Sequence, residues 1–324
     1  MKLPIVKCHG SGNDFPMIDA RGAAIDPARW PGIARVLADR AGPVGGDGIL
    51  LLKDGTGDAA FGFAMYNSDG SEAETCLNGL RCVARAGFEA LGIDHAKVAL
   101  ATSTALVERV APLAPGVYTV LETAGPASLD IAAWPMDLDR PENVERAIED
   151  LPGTHAFTAV AIPNPHLVAF VDTVDETELV AIGLACEAAP AWLPRRANVS
   201  FVEQRGADLF VRTHERGVGL TNACGSAMAA STYAAALTGR IGYGADTIVL
   251  NRGGMVRATA RADGMVSLAG NATYEWSGTV DLSSDALPVT IERHYPEEIA
   301  AWNAVRARVA RPAPVPAVSR HDGS

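Results

Sequence analysis

The sequence has no long apolar run and no cluster of basic residues, and each absence excludes a class of protein. Nowhere do about 18 apolar residues run together, and the N-terminus lacks the apolar stretch of a signal peptide. The 324 residues carry a formal net charge of −11, which offers no surface for nucleic acid or an anionic membrane. We therefore expect a cytoplasmic protein that acts on a small molecule, with no nucleic-acid or membrane partner.

Cysteine is scarce and unpaired in the sequence. The chain has five cysteines, an odd number, and none lies in a Cys-x-x-Cys motif. The spacing of Cys76 and Cys82 suits no common zinc site. We expect free thiols in a reducing compartment, with neither a disulfide framework nor a metal. The short stretch from Gly10 to Asn13 is too weak a signal for a dinucleotide loop, so NAD is not expected as a cofactor.

The hydrophobic pattern indicates a mixed α+β protein with more strands than helices. At 324 residues and 48% hydrophobic composition, two domains are the default expectation. Alternating apolar residues predict strands, and helical spacing predicts helices at Pro27–Arg40, Cys76–Leu91, Glu142–Asp150 and Cys224–Thr238. The predicted strands are 3–6, 48–53, 60–66, 98–100, 106–111, 156–162, 166–170, 196–204, 208–214, 247–250, 255–261, 265–269 and 272–282. Residues 295–309 form either a further helix or an extension of the N-terminal half.

The two halves of the sequence repeat one arrangement. Asn67 lies nine residues before Cys76, and Glu215 lies nine residues before Cys224. In each half a strand ends, a polar Gly-rich loop follows, and a cysteine begins an alanine-containing helix. The repetition predicts two similar lobes, each presenting one cysteine.

A cysteine at a helix N-terminus is suited to acid–base chemistry. Unsatisfied backbone N–H groups and the helix dipole favour the thiolate, so such a thiol can act as a base. The same N–H groups favour a bound carboxylate. If the two lobes face each other, Cys76 and Cys224 would stand on opposite sides of the Cα–H bond of an amino acid. One would remove the proton and the other would deliver one, which inverts the carbon.

Two long motifs resemble the signatures of the diaminopimelate epimerase family. They are Tyr66-Asn-Ser-Asp-Gly-Ser-Glu-Ala-Glu-Thr-Cys-Leu-Asn-Gly-Leu-Arg-Cys and Glu215-Arg-Gly-Val-Gly-Leu-Thr-Asn-Ala-Cys-Gly-Ser. The resemblance extends from Lys7 to about Leu282. It implies two similar α+β lobes, each a barrel-like, mostly antiparallel sheet around a central helix, with the active site between them. We expect lobes at 1–125 with 277–310 and at 126–276, and a flexible tail at 311–324.

The resemblance also implies a role for each matching residue. Cys76 and Cys224 would be the catalytic thiols. Residues expected to hold the reacting carboxylate are Asn78, Gly225 and Ser226. Residues expected to bind the amino and distal carboxylate groups are Asn13, Asn67, Asn164, Asn198, Glu215 and Arg216. Apart from the resemblance, His166 is a candidate for orienting the cysteine of its own lobe, and a purely structural histidine is the alternative.

The substrate is where the sequence leaves alternatives open. Epimerisation of LL-diaminopimelate to the meso form is favoured by Arg216 and the asparagines, which suit a polar distal group. Leu77 stands where the family usually has glycine, and Leu220 and the pair Ala227-Met228 also depart from its pattern. Leu77 favours a racemase of another amino acid, such as histidine. A third alternative is a non-catalytic relative that binds a ligand or senses redox state, and a homodimer is one arrangement the sequence allows.

Overall fold

The structure, a computed structural model, describes residues 1–23, 25–73, 76–134, 136–284 and 286–309. The helices of this part are α1 Trp30–Ala38, α2 Leu77–Leu91, α3 Glu176–Glu187, α4 Gly225–Leu237 and α5 Pro296–Val309. The strands of the first half are β1 Lys2–Gly10, β2 Asn13–Asp19, β3 Gly48–Asp54, β4 Phe61–Asn67, β5 Glu72–Ala73, β6 His95–Ala99, β7 Thr104–Arg109 and β8 Thr119–Ala124. Those of the second half are β9 Arg146–Ala147, β10 Ala156–Ala161, β11 Pro165–Phe170, β12 Asn198–Arg205, β13 Asp208–Glu215, β14 Gly219–Thr221, β15 Thr247–Asn251, β16 Gly254–Ala260, β17 Val266–Asn271, β18 Thr273–Asp281 and β19 Val289–His294.

The two halves have the same topology. In the first, β1–β2, β3–β4, β6–β7 and β7–β8 are antiparallel, while β2–β3 and β4–β6 are parallel and are connected through α1 and α2. In the second, β10–β11, β12–β13, β15–β16 and β16–β17 are antiparallel, while β11–β12 and β13–β15 are parallel and are connected through α3 and α4. The repeat predicted from the cysteine spacing therefore extends to the order of strands and helices within each half.

Each half wraps its strands around one helix. Helix α2 contacts β1, β2, β3, β4, β6, β7 and β8, and α4 contacts β10, β11, β12, β13, β15, β16 and β17. Large apolar side chains such as Phe61 and Phe88 pack around and on α2, whereas α4 is rich in alanine. The sheet curves without closing into a barrel. It runs from one half to the other through the β8–β17 pair, and β18 returns to pair with β1.

The predicted strands and three of the four predicted helices are present, with ends that differ by a few residues. The helix predicted at Glu142–Asp150 is wrong, because this stretch holds only the two-residue strand β9 and turns. The reason is Asn143, whose buried side chain donates to the carbonyls of Arg146 and Phe157 and holds the backbone in a loop. The elements that were not predicted are β2, β5, β8, β9, β14, β19 and α3.

Residues 296–309 form a helix, α5, so the helical alternative for 295–309 is confirmed within one residue. Of the helices described, none is both long and apolar enough to cross a membrane. The lobe boundaries at 125 and 277 stay a prediction. The predicted tail at 311–324 lies outside the described residues.

Candidate active site

Cys76 is the N-cap of α2, and its thiol lies beside two polar groups. Its extended backbone, at φ −151°, ends the preceding loop, and its sulfur accepts the Gly79 N–H at 3.3 Å. The thiol donates to Asn13 Oδ1 at 3.8 Å. The Gly79 N–H therefore favours the thiolate form of Cys76, and Asn13 Oδ1 favours the thiol form.

The side chain of Asn13 is oriented by Asp47. Asn13 Nδ2 donates to the Asp47 carboxylate, which also accepts the Asp14 N–H at 3.1 Å and an Arg40 N–H at 2.6 Å. An ionised carboxylate accepts only, so the amide nitrogen of Asn13 faces Asp47 and its oxygen faces Cys76. Asp47 lies directly before β3, and it has a positioning role that the sequence did not suggest.

Asn78 is held by a buried ion pair. Arg81 donates to Asn78 Oδ1 at 2.6 Å and to Glu122 Oε1 at 2.6 Å, and neither charged side chain of this ion pair is exposed. Burial raises the pKa of Glu122 to about 7, against the attraction of Arg81. With its oxygen fixed, Asn78 directs Nδ2 towards Asn13 Oδ1 at 3.5 Å and towards the Ala223 carbonyl at 3.4 Å.

Cys224 occupies the matching place at the start of α4, with a carboxylate beside it. Its sulfur is 3.5 Å from Ser226 Oγ and also contacts the Ala227 N–H and the Glu215 carboxyl group. The Thr221 hydroxyl donates to Glu215 Oε1 at 2.5 Å. Glu215 ends β13 as Asn67 ends β4. The repeat therefore places a carboxylate in one lobe where the other has an amide.

The pKa values of both thiols run against the expectation from the helix termini. Burial raises the pKa of Cys76 to about 12, which exceeds the opposite effect of the Gly79 N–H. Burial and the Glu215 charge raise the pKa of Cys224 well above its ordinary value. Desolvation disfavours a charged thiolate more than one or two N–H groups favour it. Both groups are thus thiols near neutral pH in this structure.

The two cysteine-bearing helices meet at their N-termini. A Cβ placed on Gly225 would lie 2.7 Å from the Leu77 Cβ, so the backbone of α4 touches the Leu77 side chain. The Asn78 amide reaches the carbonyl of Ala223, the residue before Cys224. The charge of Glu215 also acts on Cys76 across this junction. Both cysteines therefore lie beside the junction at which the two halves meet.

A second group of predicted residues clusters in the C-terminal half. His166 and Asn198 are paired across β11 and β12, and His166 Nε2 lies 3.2 Å from Asn164 Oδ1 and 3.5 Å from Asn198 Nδ2. Asn198 Oδ1 accepts the Arg216 N–H at 2.9 Å. Burial lowers the pKa of His166 to about 3, so the ring is neutral.

The described contacts join His166 to asparagines and include no hydrogen bond to Cys224. Its role in orienting the cysteine stays a prediction. Asn67 lies at the end of β4, where its amide donates to Ser71 Oγ at 3.0 Å. Arg216 donates from Nη1 to the Arg195 carbonyl at 3.2 Å. The part of the site that meets the distal end of a substrate also stays a prediction.

Sequence reasoning missed four supporting residues: Asp47, Arg81, Glu122 and Thr221. Arg81 and Thr221 lie within the quoted motifs, so their position was a usable signal. Glu122 gave no signal, because it stands on β8, which was not predicted, and meets Arg81 only through the fold.

The chain is similar to known proteins over most of its length. A sequence profile described as "Diaminopimelate epimerase" matches residues 5–108 and 158–275. The diaminopimelate epimerase of Clostridium acetobutylicum is 36% identical over 290 residues, which cover 87% of this chain and 86% of that protein. The one of Listeria monocytogenes is 35% identical over 310 residues, with coverage of 91% and 94%. A PhzF-family phenazine biosynthesis protein of Bacillus anthracis shares the fold, with a TM-score of 0.63, 12% identity and coverage of 87% and 100%. The chain thus belongs to the diaminopimelate epimerase family.

Proposed function

We propose that this protein interconverts LL- and meso-diaminopimelate by proton transfer at the α-carbon, with Cys76 and Cys224 as the two acid–base groups and no cofactor. The observation that supports the proposal is the contact of α2 and α4 at Leu77 and Gly225, the residues that directly follow Cys76 and Cys224. Membership of the family supports the substrate. Because the mechanism needs free thiols, we place the enzyme in the reducing cytoplasm.

The helix termini are suited to hold the α-carboxylate. Leu77, Asn78, Gly225 and Ser226 occupy the first two positions of α2 and α4, where an α-helix gives their N–H groups no partner within the helix. A carboxylate at this junction would meet N–H groups from both lobes and the Nδ2 of Asn78. The same donors would stabilise the negative charge that develops when the α-proton leaves, and each such donor contributes about 2.7–4 kcal/mol in a dry site.

Proton transfer requires one thiolate and one thiol. The positive α-ammonium group of the substrate lowers the pKa of a nearby thiol, which offsets the burial that raises it. Glu215 is placed to accept the proton of Cys224, and Asn13 Oδ1 is placed to keep Cys76 protonated. In one direction the Cys224 thiolate takes the α-proton and the Cys76 thiol protonates the opposite face. The reverse reaction exchanges the roles.

The test is α-proton exchange in D₂O, followed by NMR without added cofactor. LL-diaminopimelate, L-histidine and a panel of other amino acids are offered to the reduced protein. We expect exchange and meso product with diaminopimelate, and loss of net inversion in Cys76→Ala and Cys224→Ala. Cys186→Ala is the control, because it removes a buried thiol on α3, a helix that carries neither Cys76 nor Cys224.

Three results would overturn parts of the proposal. Undiminished epimerisation in either cysteine variant would remove the two-thiol mechanism. Exchange with another amino acid alone would replace the substrate and keep the mechanism. Silence with every amino acid would favour a protein that binds without turnover.

A further inference from the structure

Helix α5 lies beyond the residues that the family profile matches. The matched residues end at 275, and α5 begins at Pro296. Glu298, Trp302, Val305 and Val309 share one face of the helix at spacings of three and four residues, and the last three are buried. Trp302 is 2% exposed, so it is a core residue although it stands near the end of the described chain.

The buried face of α5 packs on both halves of the molecule. Trp302 and Val305 form a small apolar cluster with Val117, which precedes β8, and with Met255 on β16. The helix contacts β16 on one side and β18 on the other. Helix α5 therefore packs on strands of both halves of the molecule.

Trp302 holds the turn between β15 and β16. Its indole N–H donates to the Gly253 carbonyl at 3.1 Å, and its ring covers the next residue so closely that a Cβ on Gly254 would lie 2.2 Å from it. The opposite side of the turn touches the first half, since a Cβ on Gly253 would lie 1.7 Å from the Ser11 carbonyl oxygen. Only glycine at position 253 allows this approach.

This turn touches the segments that lead to both cysteines. Ser11 lies two residues before Asn13, which contacts the Cys76 thiol, and its hydroxyl accepts from Arg81 at 3.2 Å. The Gly253 N–H donates to the Asn222 carbonyl at 3.1 Å, and Asn222 lies two residues before Cys224. One turn, pressed from behind by Trp302, thus supports the loops of both lobes.

A second contact fixes α5 to the helix that begins at Cys76. Glu298 accepts two hydrogen bonds from Arg85 of α2, at 2.6 and 2.9 Å, and also accepts the Tyr274 N–H at 3.1 Å. The Arg85 guanidinium lies 3.6 Å from the centre of the Tyr274 ring. Because the pair is bidentate and largely buried, it holds α5 in one position on α2.

We propose that α5 is a brace that sets the relative position of the Cys76 and Cys224 loops, with Trp302 and Glu298 as positioning residues for proton transfer. The catalytic part of this inference rests on the proposed function. The described hydrogen bonds of these two side chains go to Gly253, Arg85 and Tyr274, and none goes to a cysteine. Each side chain therefore acts through the turn at Gly253 or through Arg85. A shift of about 1 Å in such support can reduce the rate about 100-fold, since both thiols must face the same carbon.

The experiment compares Trp302→Phe, which keeps a ring and removes the N–H donor, with Glu298→Gln, which weakens the pair with Arg85. Asn303→Ala is the matched control, because Asn303 is exposed on the outer face of the same helix. Two readouts are taken on full-length protein that remains folded by circular dichroism. They are kcat and KM for LL-diaminopimelate, and the rates at which iodoacetamide alkylates Cys76 and Cys224.

We expect kcat to fall about 10- to 100-fold in Trp302→Phe and Glu298→Gln with KM changed less than about 3-fold, and alkylation of both thiols to become faster. Asn303→Ala should match the wild type. Lower thermal stability with wild-type kcat and alkylation rates would reduce α5 to a stabilising element and overturn the proposal. If the wild type turns over no diaminopimelate, the proposed function fails, while the alkylation rates still decide whether α5 positions the loops.

Discussion

Leu77 and Gly225 are in contact at the start of α2 and α4, where a Cβ on Gly225 would lie 2.7 Å from the Leu77 Cβ. Leu77 comes from the first half and packs against the core of the second. The contact joins the halves beside the N–H groups that we expect to hold the substrate carboxylate. A leucine at this place therefore limits how closely the two helices approach.

This contact predicts a strong effect of Gly225→Ala. A Cβ at 2.7 Å from the Leu77 Cβ forces the helix termini apart, since neither atom belongs to a flexible chain end. Overpacking of this kind lowers the free energy of unfolding by about 1–3 kcal/mol. We expect the loss of kcat/KM, expressed as a change in activation free energy, to be at least as large. The measurement is epimerisation kinetics with thermal unfolding of the same samples.

The double variant Leu77→Gly/Gly225→Ala supplies the control, because it removes the side chain that the new methyl group meets. We expect it to recover most of the stability and part of the activity. An equal defect in the single and double variants would mean that Leu77 does not limit this approach.

Local pattern was enough to predict most of the fold. Strands such as β15 and β16 alternate buried and partly exposed residues, and α2 and α4 each begin after a cysteine at the N-cap position. The helix expected at Glu142–Asp150 fails because a single buried side chain, Asn143, satisfies the loop backbone. Such contacts depend on distant residues, which a local pattern does not show.

The site could be predicted to the level of its motifs and no further. The nine-residue spacing located both cysteines and Glu215. The buried partners Arg81 and Glu122 are 41 residues apart and meet only because β8 lies beside α2. Burial raises the pKa of both thiols, and the position of a cysteine at a helix N-terminus does not show how deeply the thiol is buried.

The raised thiol pKa values predict slow alkylation near neutral pH. Because the thiolate is the nucleophile, the rate follows the fraction of thiolate, which increases with pH up to the pKa. Burial raises the pKa of Cys76 to about 12, so its rate should still be rising at pH 10, whereas an ordinary cysteine levels off above its pKa of about 8.5. The measurement is the pH dependence of iodoacetamide labelling of Cys76, resolved by peptide mass spectrometry.

A plateau of the Cys76 labelling rate below pH 8 would contradict this prediction and would favour the thiolate expected from the helix terminus. A short thiol peptide with the same sequence around Cys76 serves as the control for the reagent.

Thr221 should determine the pH at which activity is lost on the acid limb of the pH–activity profile. Burial raises the pKa of Glu215, and the hydrogen bond from Thr221 partly lowers it again. Thr221→Val removes the donor, so the pKa of Glu215 should rise further. If ionised Glu215 is needed to accept the Cys224 proton, activity is lost as pH falls through this pKa, and in the variant that loss begins at higher pH.

The measurement is the pH profile of kcat/KM for Thr221→Val and for Thr221→Ser, which keeps the hydroxyl. The serine variant should retain the wild-type acid limb. An acid limb unchanged in the valine variant would show that Glu215 ionisation does not control the reaction.

The buried pair of Arg81 and Glu122 should matter for stability and for the position of Asn78. Both side chains are fully buried and 2.6 Å apart, so Glu122→Gln leaves the Arg81 charge without a counter-ion in a dry environment. Loss of one partner of a buried pair costs about 3–5 kcal/mol, and retention of an amide acceptor places the expected change near the lower end of that range. The exposed pair of Arg109 and Asp94, at 55% and 69% exposure, is the matched control, and Asp94→Asn should cost less than about 1 kcal/mol. Urea unfolding measures both variants. Because Arg81 also fixes Asn78 Oδ1, kcat should fall in folded Glu122→Gln and remain unchanged in Asp94→Asn. Equal losses in the free energy of unfolding of the two variants would contradict the role assigned to burial.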